Sequence, residues 1–236
     1  MHKNADTDGS LPTGAGIVAF HQDCLARRGW PEETAEAAPS RADGDRGGRT
    51  GAWQWSEANH RFNSLLWAEE DLARRTRVSD AEIAGNKRNI DRYNQARNDA
   101  TERIDELLLV ALGLVEAGSA AGDAPRSTPA AGARLNSETA GSMIDRLSIM
   151  ALKAHAMELQ TQRTDVDESH REASRVKLQR LQAQRDDLAA CFDELLADSR
   201  AGRVYFKVYR QFKMYNDPRF NPVLAAEAAA LGAAKG

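Results

Sequence analysis

Apolar residues recur every three or four positions along most of the chain. One stripe runs Ile83, Ile90, Ile104 and Ala111 with Leu108 and Val115 beside it, and another runs Leu178, Leu181, Leu188, Phe192 and Leu195. That spacing is the period of amphipathic helices packed on one face. Proline, which removes a hydrogen bond and clashes with the preceding turn inside a helix, is absent between Pro39 and Pro125 and again between Pro129 and Pro218. Each window has room for a helical hairpin. The first predicts a helix over 52–75, a break at 76–78, and a second helix running from Ser79 to Glu116. Its start, Ser79-Asp80-Ala81-Glu82, has the form of a capping box. The second window opens near Ser137, breaks at 164–167 and ends at Gly202, a C-cap glycine.

A short helix at 17–28 and an alanine-rich helix at 222–234 flank these hairpins. Residues 204–209 alternate weakly, as a strand would, but Tyr205, Tyr209 and Phe212 also fit helical spacing. The predicted fold is therefore all-α, a four-helix core of two long antiparallel hairpins with a C-terminal aromatic and basic strap and short terminal helices. Residues 1–50 read as a short helix plus a flexible segment, and 51–236 as a single helical domain. A flexible connection rich in Ala, Gly, Ser, Pro and Thr is expected at about 118–134.

Composition narrows the functional classes. With 32 basic and 35 acidic residues the net charge is −3, too balanced for a general polyanion binder, so nucleic acid is not an expected partner. The longest apolar run, 107–112, is far too short to span a bilayer, and the first residues lack the apolar core of a secretory signal. Cys24 and Cys191 have neither metal nor redox spacing. The expectation is a cytoplasmic protein with no membrane insertion.

Candidate chemistry lies where polar residues interrupt the apolar stripes. Asn94, Arg97 and Thr101 break the first, with Asp91, Asn98 and Asp105 alongside. Arg185 breaks the second, and the helix before it presents Ser142 and Asp145. If the second hairpin turns near Asp165, Asp145 and Arg185 stand at the same height. With a turn near Arg77, Asn59 and Asn63 face the level of 93–97, while Glu69 faces Lys87. Such interruptions are either register-fixing ion pairs or the lining of a cavity for an anionic ligand, because an isolated buried charge costs several kcal/mol. Glu57-x-x-His60 has the spacing of di-iron bundles, yet no second copy is evident, so no metal and no cofactor are assigned. Asp165-Val-Asp167 matches the Asp-x-Asp of many glycosyltransferases, but at a helix turn capping is its simpler role. Cys191 reads as a packed thiol. The strap, 203–218, interleaves Lys207, Arg210 and Lys213 with Tyr205, Tyr209, Phe212 and Tyr215, a pattern that suits either a pocket wall or aromatic packing over the bundle.

The stretches 66–74, 90–99, 136–149 and 209–218 together resemble a bacterial family catalogued as domain of unknown function 4254. The resemblance implies a helical protein associated with glycosyltransferase and heptose genes of lipopolysaccharide-type pathways, and hence with sugar nucleotides, without assigning a reaction. Ala68 departs from it, standing where the family more often has histidine. Two functions of different class follow. One is a glycosyl-type transferase that binds a nucleotide-diphospho-sugar, heptose-like donor and a small-molecule acceptor, with Asp145 or Glu138 as base. Its binding residues are Asn94, Arg97, Asn98, Ser142, Arg185, Arg210, Lys213, Tyr215 and Asn216. A diphosphate leaving group needs positive charge and an acceptor hydroxyl needs a base. The other is a non-catalytic adaptor that docks on a glycosyltransferase. A homo-oligomer is also compatible.

Overall fold

The computed structural model describes residues 11–32, 51–211, 214 and 217–233. Six helices account for most of them: α1 (Gly14–Ala26), α2 (Gly51–Leu72), α3 (Asp80–Ala111), α4 (Ala140–Thr161), α5 (Glu168–Arg200) and α6 (Pro222–Ala233). The fold is all-α, with α2–α3 and α4–α5 as the two antiparallel hairpins. Both helices of the first hairpin pack on α4, and α1 packs on α4 and α5.

Local chemistry sets the helix ends. The Ser79 hydroxyl accepts from the Glu82 amide while the Glu82 carboxylate accepts from the Ser79 amide, completing the capping box. The Asp167 carboxylate accepts from the His170 amide at 2.7 Å and starts α5, whereas Asp165 is held by Arg163. Capping accounts for Asp167 and an ion pair for Asp165. Gly202 closes α5 at φ +70°, a left-handed turn that favours glycine. The same device ends α3 earlier than expected. Gly113 turns at φ +69°, Leu114 N–H donates to the Leu109 carbonyl, and the helix stops at Ala111 instead of reaching Glu116.

The strap also departs from expectation. Val204–Tyr205 (β2) is extended and pairs in parallel with Arg134–Leu135 (β1), so Tyr205 and Tyr209 do not share a helix face. Phe212 lies outside the described residues. The 118–134 connection carries its own hydrogen bonds: a turn at 117–119, Glu116 N–H to the Arg126 carbonyl, and Thr128 N–H to the Leu114 carbonyl. Cys191, expected to be packed, is exposed, while Cys24 is buried.

The core gathers Ile17 and Phe20 of α1, Trp53 of α2, Ile104 and Leu108 of α3, Ile144 and Leu147 of α4, Phe192 of α5 and Phe206 of the strap. Gly14 lets α1 touch α5. A Cβ there would stand 2.3 Å from the Ala189 carbonyl oxygen, and its amide instead donates to Asp193 at 2.7 Å. A polar seam runs through the packed core where α2, α3 and α4 meet.

Candidate functional site

Asn59 and Asn63 lie one turn apart on α2, so their side chains point the same way. Both amides donate to Asp145 Oδ1 of α4, each at 2.9 Å. The second hydrogen of the Asn59 amide goes to Thr101 Oγ1 of α3 at 3.1 Å, and Asn63 also reaches Ser148 Oγ at 3.0 Å. Arg97 of α3 approaches from the opposite side, its Nη1 3.9 Å from Asp145 Oδ2. That distance is an ion pair without a hydrogen bond. Among the described residues, Asp145 Oδ2 has no hydrogen-bond donor and the buried Nε of Arg97 has no acceptor; Nη2 donates to Asn98 Oδ1 at 3.0 Å. The two side chains stay partly open, 17% exposed for Asp145 and 25% for Arg97.

Arg97 faces a cleft of about 510 Å³. Asn63, Asn94 and Arg97 line it together with Leu66, Ile90, Ile149 and Leu152 and with the exposed Trp67, Glu70, Asp71 and Arg74. Asp145 sits behind Asn63 and Arg97. Apolar walls around a few convergent polar groups are the usual make-up of a small-molecule site.

Behind the cleft the seam continues into a buried stack. The His60 ring Nδ1 is 2.8 Å from Ser148 Oγ, and its face stacks on His21 and Trp30 with ring centroids 4.4 and 5.3 Å away. Burial drives the His60 pKa down to about 3 and holds His21 well below the ordinary value as well. Glu57, three residues before His60, binds Arg27 at 2.7 Å instead of turning inward. Among the described residues, no group of three His, Cys, Asp or Glu side chains could hold a metal ion.

Of the residues expected in a site, Asn94, Arg97, Asn98 and Asp145 come together. The others do not. Arg185 has the right height and the wrong azimuth: it binds Asp186 at 3.0 Å and faces a separate cleft lined by Ala151, His155 and Glu158 of α4 and by Gln22 of α1. Glu138 is paired with Arg146, which leaves it poorly placed as a base. Ser142 is used in the cap of α4, donating to the Thr139 carbonyl and accepting from its amide. Arg210 is engaged within the fold. It donates to Glu102 at 3.0 Å, to the fully buried Glu106 at 2.5 Å and to the carbonyls of Ala120 and Gly122. Lys213, Tyr215 and Asn216 lie outside the described residues.

Ser148, Trp67 and Arg74 were not anticipated. The i, i+4 pair Asn59 and Asn63 on an otherwise buried face was the signal that pointed to this seam. Close by, Asp105 is wholly buried. Burial pushes its carboxyl up to about 7, against the hydrogen bonds from the Thr139 hydroxyl and the Gly141 amide.

Among the described residues, no helix is long and apolar enough to cross a membrane. No curated protein and no solved structure matches the chain. Residues 53–208, which run from the first turn of α2 through β2 and so contain Asn59, Asn63, Arg97, Asp145 and Ser148, match the family described as Protein of unknown function (DUF4254), and the chain belongs to that family.

Proposed function

We propose that the cleft binds a nucleotide-diphospho-sugar and that the protein is a glycosyl-type transferase. The observation that carries this reading is Arg97: a guanidinium lining an open cleft, with a buried Nε that lacks an acceptor among the described residues and a carboxylate, Asp145, 3.9 Å away. A planar fork with unused donors suits a phosphate. Arg74, paired with Glu70 at 3.3 Å, adds a second guanidinium to the lining, Trp67 offers a flat apolar face, and Asn63 and Asn94 supply the amides that sugar hydroxyls need. The reading also takes the sugar-nucleotide class from the family resemblance.

In the transfer, the acceptor hydroxyl oxygen attacks the anomeric carbon. The bond from that carbon to the diphosphate oxygen breaks, and its electron pair leaves with the diphosphate, which Arg97 and Arg74 stabilise. The hydroxyl proton goes to Asp145 Oδ2, whose Oδ1 is already occupied by Asn59 and Asn63.

The test is calorimetric titration with ADP- and GDP-linked heptoses and with the free nucleotides. Wild-type protein should bind at least one of the sugar nucleotides. Arg97→Met should lose that binding tenfold or more, and Asp145→Asn should keep it while turnover falls about 100-fold. If no sugar nucleotide binds, the transferase reading fails and the adaptor takes its place.

A further inference from the structure

The depression does not stop at Trp67. Its indole, 37% exposed, lines the polar cleft on one side and a second groove of about 480 Å³ on the other, between the outer faces of α4 and α5. Trp67 lines both, so the two adjoin at its indole. Across Trp67 the chemistry changes. The surface of the groove is almost wholly apolar, built on Ala156, Met157 and Leu181, and Lys153, Lys177 and Arg180 stand at its edges. No carboxylate lines it, and among the described residues none of the three cations is in an ion pair.

An apolar trough edged by three unneutralised cations calls for an occupant that is apolar along its length and anionic at a point. The occupant follows from charge complementarity: three cations that are in no ion pair among the described residues, beside an apolar trough, match a single anionic group on an apolar chain. A single hydrocarbon chain fills such a groove, and an arginine fork with two ammonium groups suits a phosphate.

We propose that the groove holds the hydrocarbon chain of a monomeric anionic amphiphile, its phosphate on Lys153, Lys177 and Arg180 and its hydroxyl-bearing head reaching past Trp67 into the Arg97–Asp145 cleft. This rests on the reading of that cleft as a sugar-transfer site, and it names the acceptor class as a chain-bearing phosphate.

The probe is a series of hexyl, octyl and decyl phosphates below their micelle concentrations, titrated into the full chain by calorimetry. Affinity should rise about fourfold per methylene, the factor for moving each one out of water. The slope should flatten in Met157→Asp and in Leu181→Asp, with circular dichroism checking that both remain helical. Decyl phosphate should bind at least tenfold tighter than decyl maltoside, and far tighter than inorganic phosphate. Binding that does not depend on chain length overturns the proposal, as does an unchanged slope in both groove variants or equal affinity for the neutral detergent. An acidic amphipathic helical peptide that binds where the alkyl phosphates do not also overturns it, in favour of a protein partner. Sugar-nucleotide titration separates this proposal from the transferase reading: it should be unaffected in Met157→Asp, and its failure in wild-type protein with the alkyl series intact sinks the transferase reading alone.

Discussion

Two arginines meet α3 in opposite ways. Arg210, from the strap, is 10% exposed and saturated, with Glu102, Glu106 and two backbone carbonyls around it. Arg97, on α3 itself, makes one side-chain hydrogen bond, leaves its buried Nε unmatched and faces an open cleft. The comparison teaches that the residue type at a stripe interruption says little. What separates a bolt from a ligand site is whether the fold has already supplied every acceptor that the guanidinium can use.

The largest effect expected from this contrast is at the bolt. Arg210→Met takes from the buried Glu106 its Arg210 partner, and should lower unfolding free energy by about 3 kcal/mol, the lower end for a broken buried pair. Urea denaturation measures it, and a loss below about 1 kcal/mol would erase the distinction between the two arginines. Acidification should come next. His60, with its pKa lowered to about 3, stays neutral in the fold while the unfolded chain takes up a proton below about 6.5. The resulting stability is complete above 6.5 and is lost as pH falls towards 3, about 2 kcal/mol of it by pH 5.

Asp105 works in the other direction. Its carboxyl is raised to about 7 from 3.8, so the fold is favoured most at low pH and loses stability as pH rises from 3.8 to 7. The two windows overlap, and the wild-type profile should be flatter than either alone. Asp105→Asn should uncover the histidine slope, with stability climbing steadily from pH 4 to 6.5 in urea melts at fixed ionic strength. An unchanged profile would mean that Asp105 titrates normally. The smallest stability effect is reserved for the cleft: Arg97→Met should shift unfolding free energy by less than about 0.5 kcal/mol, or raise it. A loss like that of Arg210→Met would make Arg97 a second bolt.

Much of the fold was legible because helix ends are written locally. The Ser79–Glu82 box, the Asp167 cap and Gly202 each act within one turn of the residues that name them. Turn arithmetic worked for the same reason within the first hairpin, where Glu69 meets Asn86 at 2.7 Å and Asn89 at 2.9 Å, close to the expected Lys87. Height along a hairpin follows from residue counting, but azimuth depends on which face the neighbouring helices cover, and that is why Arg185 turned towards α1 while Asp145 turned towards α2 and α3. The Asp145–Arg97 approach joins different hairpins, and no local rule connects them. The strap misled because alternation and helical spacing coincide over so few residues, and only the partner at 134–135 decides between them.

The Arg210–Glu106 contact joins residues 104 apart in the chain, whereas the hairpins close through near neighbours. A contact of such span costs loop entropy that must be met before the contact forms. The strap should therefore dock after the folding transition state, when both hairpins are in place. Substitutions at Arg210 should then act through the unfolding limb of a chevron plot, raising the unfolding rate and leaving the folding rate almost untouched. The clasp that adds most to equilibrium stability would contribute nothing to the speed of folding, and would set instead how long the folded bundle lasts.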